Sequence, residues 1–141
     1  VMHTYSIGEA ARISGVKVPT IRYYEQIGLM PGIGRTEGNR RSYGQDEVRR
    51  LAFIRHSREL GFELDAIRAL LALQDDPHQS CAAADAIASE RLVEVRAKIA
   101  SLQSLAAELE RMLRGCAHGE VGDCRVIEIL ADHGQCRFHQ H

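Results

Sequence analysis

No stretch of the 141-residue chain supplies the run of about 20 apolar residues that a membrane-crossing helix needs. No charged, apolar and small-residue series of the secretory kind opens it, so a cytoplasmic address is the expectation. Strong net charge is also missing. The sum is −1 at pH 7, which argues against a uniformly basic nucleic-acid binder. Cysteine is absent from the first 80 residues: Cys81, Cys116, Cys124 and Cys136 all fall in the second half, three of them within the last 26 residues. Disulfide-rich secreted domains space their thiols more evenly. In a chain without a signal, reduced thiols are more often metal ligands or redox groups than structural bridges.

What is present fits a folded, soluble protein, with 45% hydrophobic and 26% charged residues. The length allows one compact domain, or a small domain carrying a long extension, and leaves no room for a large two-domain enzyme. The near-zero charge conceals an asymmetry. Residues 1–60 carry ten Lys/Arg against six Asp/Glu, while residues 61–141 carry eight against thirteen. The first part can meet phosphates, and the acidic remainder suits solvent or protein contacts.

Local signals divide the chain further. Ser6 with Glu9 three residues on forms a capping box, and Gly15 is a stop, which predicts a helix from Ser6 to Val16. A second helix starts at Val18-Pro19, with proline at an early helical position, and ends near Gly28. Two short helices joined by a tight turn make a helix-turn-helix, whose second member enters the major groove. The turn-rich stretch 32–43, containing Arg35, Arg40, Arg41 and Tyr43, reads as a hairpin wing able to contact phosphates. Asp46–Leu60 and Leu64–Leu73 form a helical pair around Gly61-Phe62. Leu51, Ile54, Leu64, Ile67, Leu70 and Leu71 are its core-facing positions.

From Ala83 to Leu113 the pattern becomes one long helix. Leu92, Val95, Ile99, Leu102, Ala106, Leu109 and Leu113 follow each other at steps of three or four, an apolar seam kept over three heptads. One helix cannot bury that seam, so a second copy in a two-fold homodimer is the expected partner. After Gly115 comes a loop holding Cys116, His118 and Cys124, then a short helix, Val126–Asp132. The tail from Gly134, with Cys136, His139 and His141, has no periodicity and reads as mobile, with an auxiliary metal site as the alternative.

The runs Tyr5-Ser6-Ile7-Gly8-Glu9-Ala10-Ala11, Thr20-Ile21-Arg22-Tyr23-Tyr24-Glu25, Gly28-Leu29 and Asn39-Arg40-Arg41-Ser42-Tyr43 resemble the winged-helix DNA-binding domain of the MerR family. The resemblance covers roughly residues 5–75 and continues through the long helix and loop to about 132. It implies a mainly α fold with an N-terminal winged helix-turn-helix domain (1–75), a hinge (76–82), an antiparallel coiled-coil dimerisation helix (83–114), a metal-binding loop and short helix (115–132), and a tail (133–141). It further implies a dimer on double-stranded promoter DNA that distorts the duplex on binding its inducer, so that RNA polymerase can use the promoter. By position, Thr20, Arg22 and Tyr23 match recognition-helix contacts, Arg40 and Tyr43 wing contacts, and Arg58 a basic contact on the following helix pair. Tyr24, beside Tyr23 on one helix, is expected to face the core.

Cys116 and Cys124 match the paired ligands of the family's metal sensors, and Cys81 matches the position before the dimerisation helix. Cysteine there resembles the divalent-metal branch, whose inducers are zinc, cadmium or lead; serine marks the copper, silver and gold branch. Geometry supports the same grouping. A helix over 83–113 is roughly 45 Å long at about 1.5 Å per residue, so Cys81 cannot reach Cys116 of its own chain, whereas an antiparallel partner brings them together. Three thiolates and a nitrogen, with His118 nearest, suit tetrahedral Zn(II) or Cd(II). Two features point toward copper sensing instead: seven residues separate Cys116 from Cys124, and Ala117 stands where zinc sensors often double the cysteine. A thiol redox regulator is a further alternative, although the spread of the cysteines differs from the crowded set that holds an iron–sulfur cluster. An enzyme would need Cys116 or Cys124 activated by His118 and an oriented third group, and no such set is visible.

Overall fold

A computed structural model describes residues 4–31, 42–114 and 119–132. Its elements are α1 (Ile7–Ser14), α2 (Val18–Gln26), α3 (Gln45–Glu59), α4 (Leu64–Gln74), α5 (Ala82–Leu113), a 3-10 turn (Val121–Asp123) and α6 (Arg125–Ala131). The fold is mainly α, as expected. Among the described residues the only β pairing is one antiparallel bridge, Tyr5 with Tyr43. The wing expected over 32–43 lies outside the described residues except for Ser42 and Tyr43, as do Cys116, His118 and the tail from 133. Two compact units emerge, Val1–Ile87 and Ala88–His141, with the division inside α5.

The local signals act as chemistry predicts. Ser6 Oγ accepts from the Glu9 amide at 3.2 Å, and the Glu9 carboxylate accepts from the Ser6 amide at 3.4 Å. This satisfies two of the donors that a helix start leaves without partners. Gly15 ends α1 with φ 78°, and its amide donates to the Ala11 carbonyl. Only glycine enters that left-handed region without a Cβ penalty. Pro19 sits in the first turn of α2, where its missing N–H costs nothing. At α3, the Glu47 carboxylate accepts from the Gly44 amide at 2.8 Å.

The first unit closes its own core. Ala10, Ile21, Leu29, Leu51, Ile54 and Ile67 have no exposed surface and Leu71 has 1%. Each fully buried Leu or Ile side chain stabilises by about 1.5–3 kcal/mol. Of the expected core positions on α3 and α4, Leu64 and Leu70 are only half-buried. α1 packs on α2 and α3, and α3 packs on α4.

The second unit differs in character. Along α5, Leu92, Ile99, Leu102, Leu109 and Leu113 are all exposed and Val95 is half-buried. Near the helix end Glu108 and Met112 are buried, as is Ile129 of α6. Glu108 carries its charge inward against Arg111, at 2.8 Å, as a buried carboxylate requires.

Candidate nucleic-acid interface and thiol positions

α2 presents two faces. Ile21 and Tyr24 are buried, whereas Arg22 and Tyr23 stand in solvent and Thr20 is half-buried. The adjacent tyrosines divide as expected: Tyr24 is 7% exposed and Tyr23 48%. The helical period of 3.6 forces this split, because Ile21 and Tyr24 share one side.

At the start of α2 the structure brings together residues far apart in sequence. A groove of about 430 Å³ is lined by Lys17, Thr20, Tyr24, Arg55, Arg58 and Glu59, together with Gly15 and Val16. Thr20 and Arg58, both expected at DNA from the family resemblance, share this groove. Lys17 and Arg55 were not singled out by sequence. Arg58 donates to the Phe62 carbonyl at 2.9 Å, and Arg55 pairs with Glu59 at 3.2 Å. The guanidinium of Arg55 covers Gly15, where a Cβ would lie 2.6 Å from its Nη1. Three cationic side chains, Lys17, Arg55 and Arg58, against one carboxylate, Glu59, give this groove a net positive lining.

Tyr43, expected among the wing contacts, lies in the core. It has no exposed surface. Its amide and carbonyl pair with Tyr5, at 2.9 and 2.7 Å, and its hydroxyl donates to the Glu25 carboxylate on α2. It is therefore a core residue that ties the segment before α3 to α2. Its aromatic bulk gave no sign of this, since the bridge partner lies near the other end of the domain. Arg40 falls outside the described residues.

Cys81 is exposed in the turn that leads into α5, outside any disulfide. Its thiol lies 3.7 Å from the Asp85 carboxylate one turn along, and it borders a small, mostly apolar hollow lined by Phe53, Leu70, Leu73 and Pro77, among others. Cys124 is half-buried at the start of α6. Among the described residues no three His, Cys, Asp or Glu side chains gather into a metal-holding group, and no helix is long and apolar enough to cross a membrane.

A helix-turn-helix with Arg22 and Tyr23 exposed on its second helix and Lys17, Arg55 and Arg58 lining a groove at the start of that helix, followed by a long helix, is the architecture of a DNA-binding regulator. The family model for the MerR HTH family of regulatory proteins matches residues 5–74, and that described as MerR, DNA binding, matches 48–112. The chain belongs to the MerR family of transcription regulators. It is 45% identical over 130 residues to the HTH-type transcriptional regulator ZntR of Escherichia coli (strain K12), covering 89% of this chain and 92% of that protein. It is 40% identical over 127 residues to the heavy metal-dependent transcription regulator 2 of Rhizobium meliloti (strain 1021), covering 90% and 86%. Among solved structures, the regulator PbrR691 from Ralstonia metallidurans CH34, in complex with lead(II), superposes with a TM-score of 0.77 at 36% identity, covering 89% of this chain and 98% of that one.

Proposed function

We propose that this chain is a cytoplasmic, dimeric regulator that binds promoter DNA and distorts it for RNA polymerase on taking up a divalent metal ion, zinc, cadmium or lead. The observation that carries the reading is the coincidence on α5 of an exposed thiol, Cys81, at its start and an uncovered apolar seam along its length. A second α5 running antiparallel covers the seam and brings its own Cys116 and Cys124 toward Cys81. Support for the metal class comes from the lead(II) complex of PbrR691 and the heavy-metal description of the Rhizobium relative.

Thr20, Arg22 and Tyr23 then read the duplex, and Arg58 and Arg40 hold phosphates, while Tyr43 anchors the end of the wing. Cys81 of one subunit, with Cys116 and Cys124 of the other and His118 as nitrogen donor, holds the metal. Three thiolates and an imidazole form a soft donor set for Zn(II), Cd(II) or Pb(II). Metal uptake across the subunit boundary links ion binding to the dimer's arrangement on DNA.

Subunit mixing tests this reading. Dimers formed from one Cys81→Ser and one Cys116→Ser subunit should keep one complete zinc site, as measured by competition with a colorimetric chelator, while each pure variant dimer keeps none. A mixed dimer without a site would sink the cross-subunit arrangement. Full zinc response in pure Cys81→Ser would instead favour the copper-sensing reading that the seven-residue Cys116–Cys124 loop suggests.

A further inference from the structure

Two arginines reach the end of the recognition helix from other elements. Arg68 on α4 donates from Nη2 to the Ile27 carbonyl at 2.9 Å, and Arg50 on α3 donates from Nε to the Leu29 carbonyl at 2.9 Å. Between those carbonyls lies Gly28, with φ 82°. The other edge of Arg50 faces Asp75, at 3.6 Å, the residue that ends α4. α4 itself packs against α3. It nevertheless holds the exit of α2 twice, directly through Arg68 and by way of Asp75 and Arg50.

Ile27 is the C-cap of α2, at the end where the helix dipole is negative, so a cationic donor stabilises its carbonyl; the Leu29 carbonyl belongs to the turn that follows. A planar guanidinium fork can serve two acceptors at once, which an ammonium on a flexible stem does poorly. With both carbonyls held, the C-cap of α2 and the turn that follows it are fixed to α3 and α4 by two charge-assisted bonds. Leu29 is fully buried beside this junction, so its carbonyl has little water to replace the arginine. Six residues beyond Asp75 the chain reaches Cys81.

We propose that Arg50 and Arg68 are positioning residues for DNA reading, fixing the angle at which α2 offers Arg22 and Tyr23 to the duplex. Because α4 supplies or steadies both contacts, a movement of α4 changes that angle. The link onward to Cys81 rests on the metal reading proposed above; the effect on DNA does not. The competing role for either arginine is a direct phosphate contact, and the two roles separate in measurement. Losing a phosphate contact weakens binding to every sequence and flattens its salt dependence, whereas losing a positioning residue weakens the specific complex.

The test uses the full chain, the duplex that the parent protein selects from a random-sequence pool, and an unselected mixed-sequence duplex. Arg50→Gln and Arg68→Gln should each weaken binding to the selected duplex about tenfold, the scale of a lost hydrogen bond from a charged donor. Affinity and salt slope on the mixed duplex should stay at the parent's values. Asp75→Asn should lose about two- to threefold on the selected duplex, since an exposed ion pair contributes little. Melting is followed in parallel. Where a Gln variant melts early, Arg50→Lys or Arg68→Lys replaces it, and its loss should again fall on the selected duplex alone. Equal losses on both duplexes, or none on either in the double variant, would overturn the proposal. Zn(II) adds a separating arm. A parent indifferent to zinc, with the selective loss intact, counts against the metal reading and leaves the arginine clamp supported. A zinc response as large in the double Gln variant as in the parent removes the coupling through α4.

Discussion

The N-terminal unit leaves Ile21, Leu29, Leu51, Ile54 and Ile67 without exposed surface, whereas the C-terminal unit leaves Leu102, Leu109 and Leu113 between 58% and 65% exposed. Both stretches are helical and both are patterned at the same period. The difference is that four short helices can fold back on one another, whereas a 32-residue helix cannot cover its own stripe. Amphipathic pattern therefore predicts burial only where the chain also supplies a partner.

The harshest way to break this comparison is to charge the seam. Leu102→Glu should abolish the dimer, giving monomer or unfolded protein in sedimentation, because it places an unpaired carboxylate in the apolar stripe of both helices. A folded Leu102→Glu dimer would show that the seam is not the interface. Next comes the closed core: Ile54→Ala should cost about 2–5 kcal/mol in urea unfolding, as expected for truncating a fully buried aliphatic side chain. A cost below 1 kcal/mol would mean that the N-terminal core is looser than its burial implies.

Two smaller effects sharpen the division of labour. Arg22→Ala should weaken binding to the selected duplex by about 1–3 kcal/mol, with zinc stoichiometry unchanged by chelator competition. Loss of zinc in that variant would contradict the separation of reading and sensing. Ser6→Ala should lower the melting free energy by about 1 kcal/mol through loss of the α1 cap, with dimerisation untouched. An unchanged melting curve would remove the capping box from the stability of the first unit.

Most of this was legible in the sequence where the cause is local. Ser6 with Glu9, Gly15 and Pro19 act within a turn of where they stand, and the helix ends they mark fall within a residue or two of the observed ones. The seam positions were legible for the same reason. What the sequence hid is long-range. Tyr43 reads as one more wing residue until its pairing with Tyr5 and Glu25 places it in the core. Arg50 and Arg68 look like ordinary surface cations on amphipathic helices, and their carbonyl partners lie 21 and 41 residues away. No periodicity marks such a contact, because only the packing of α3 and α4 beside the exit of α2 creates it.

The open seam of α5 also has a consequence for how the protein is made. Synthesis delivers the N-terminal unit first, and the buried core among its described residues ends at Leu71, so that unit can close while α5 is still emerging. In the proposed dimer the second copy would be a separate molecule, and the stability it conferred would rise with its concentration. A cell holding few copies would then leave each new chain longer with its stripe uncovered, in reach of chaperones and proteases. With the seam closed by a second copy, the abundance of this regulator would thus become nonlinear in its own rate of synthesis.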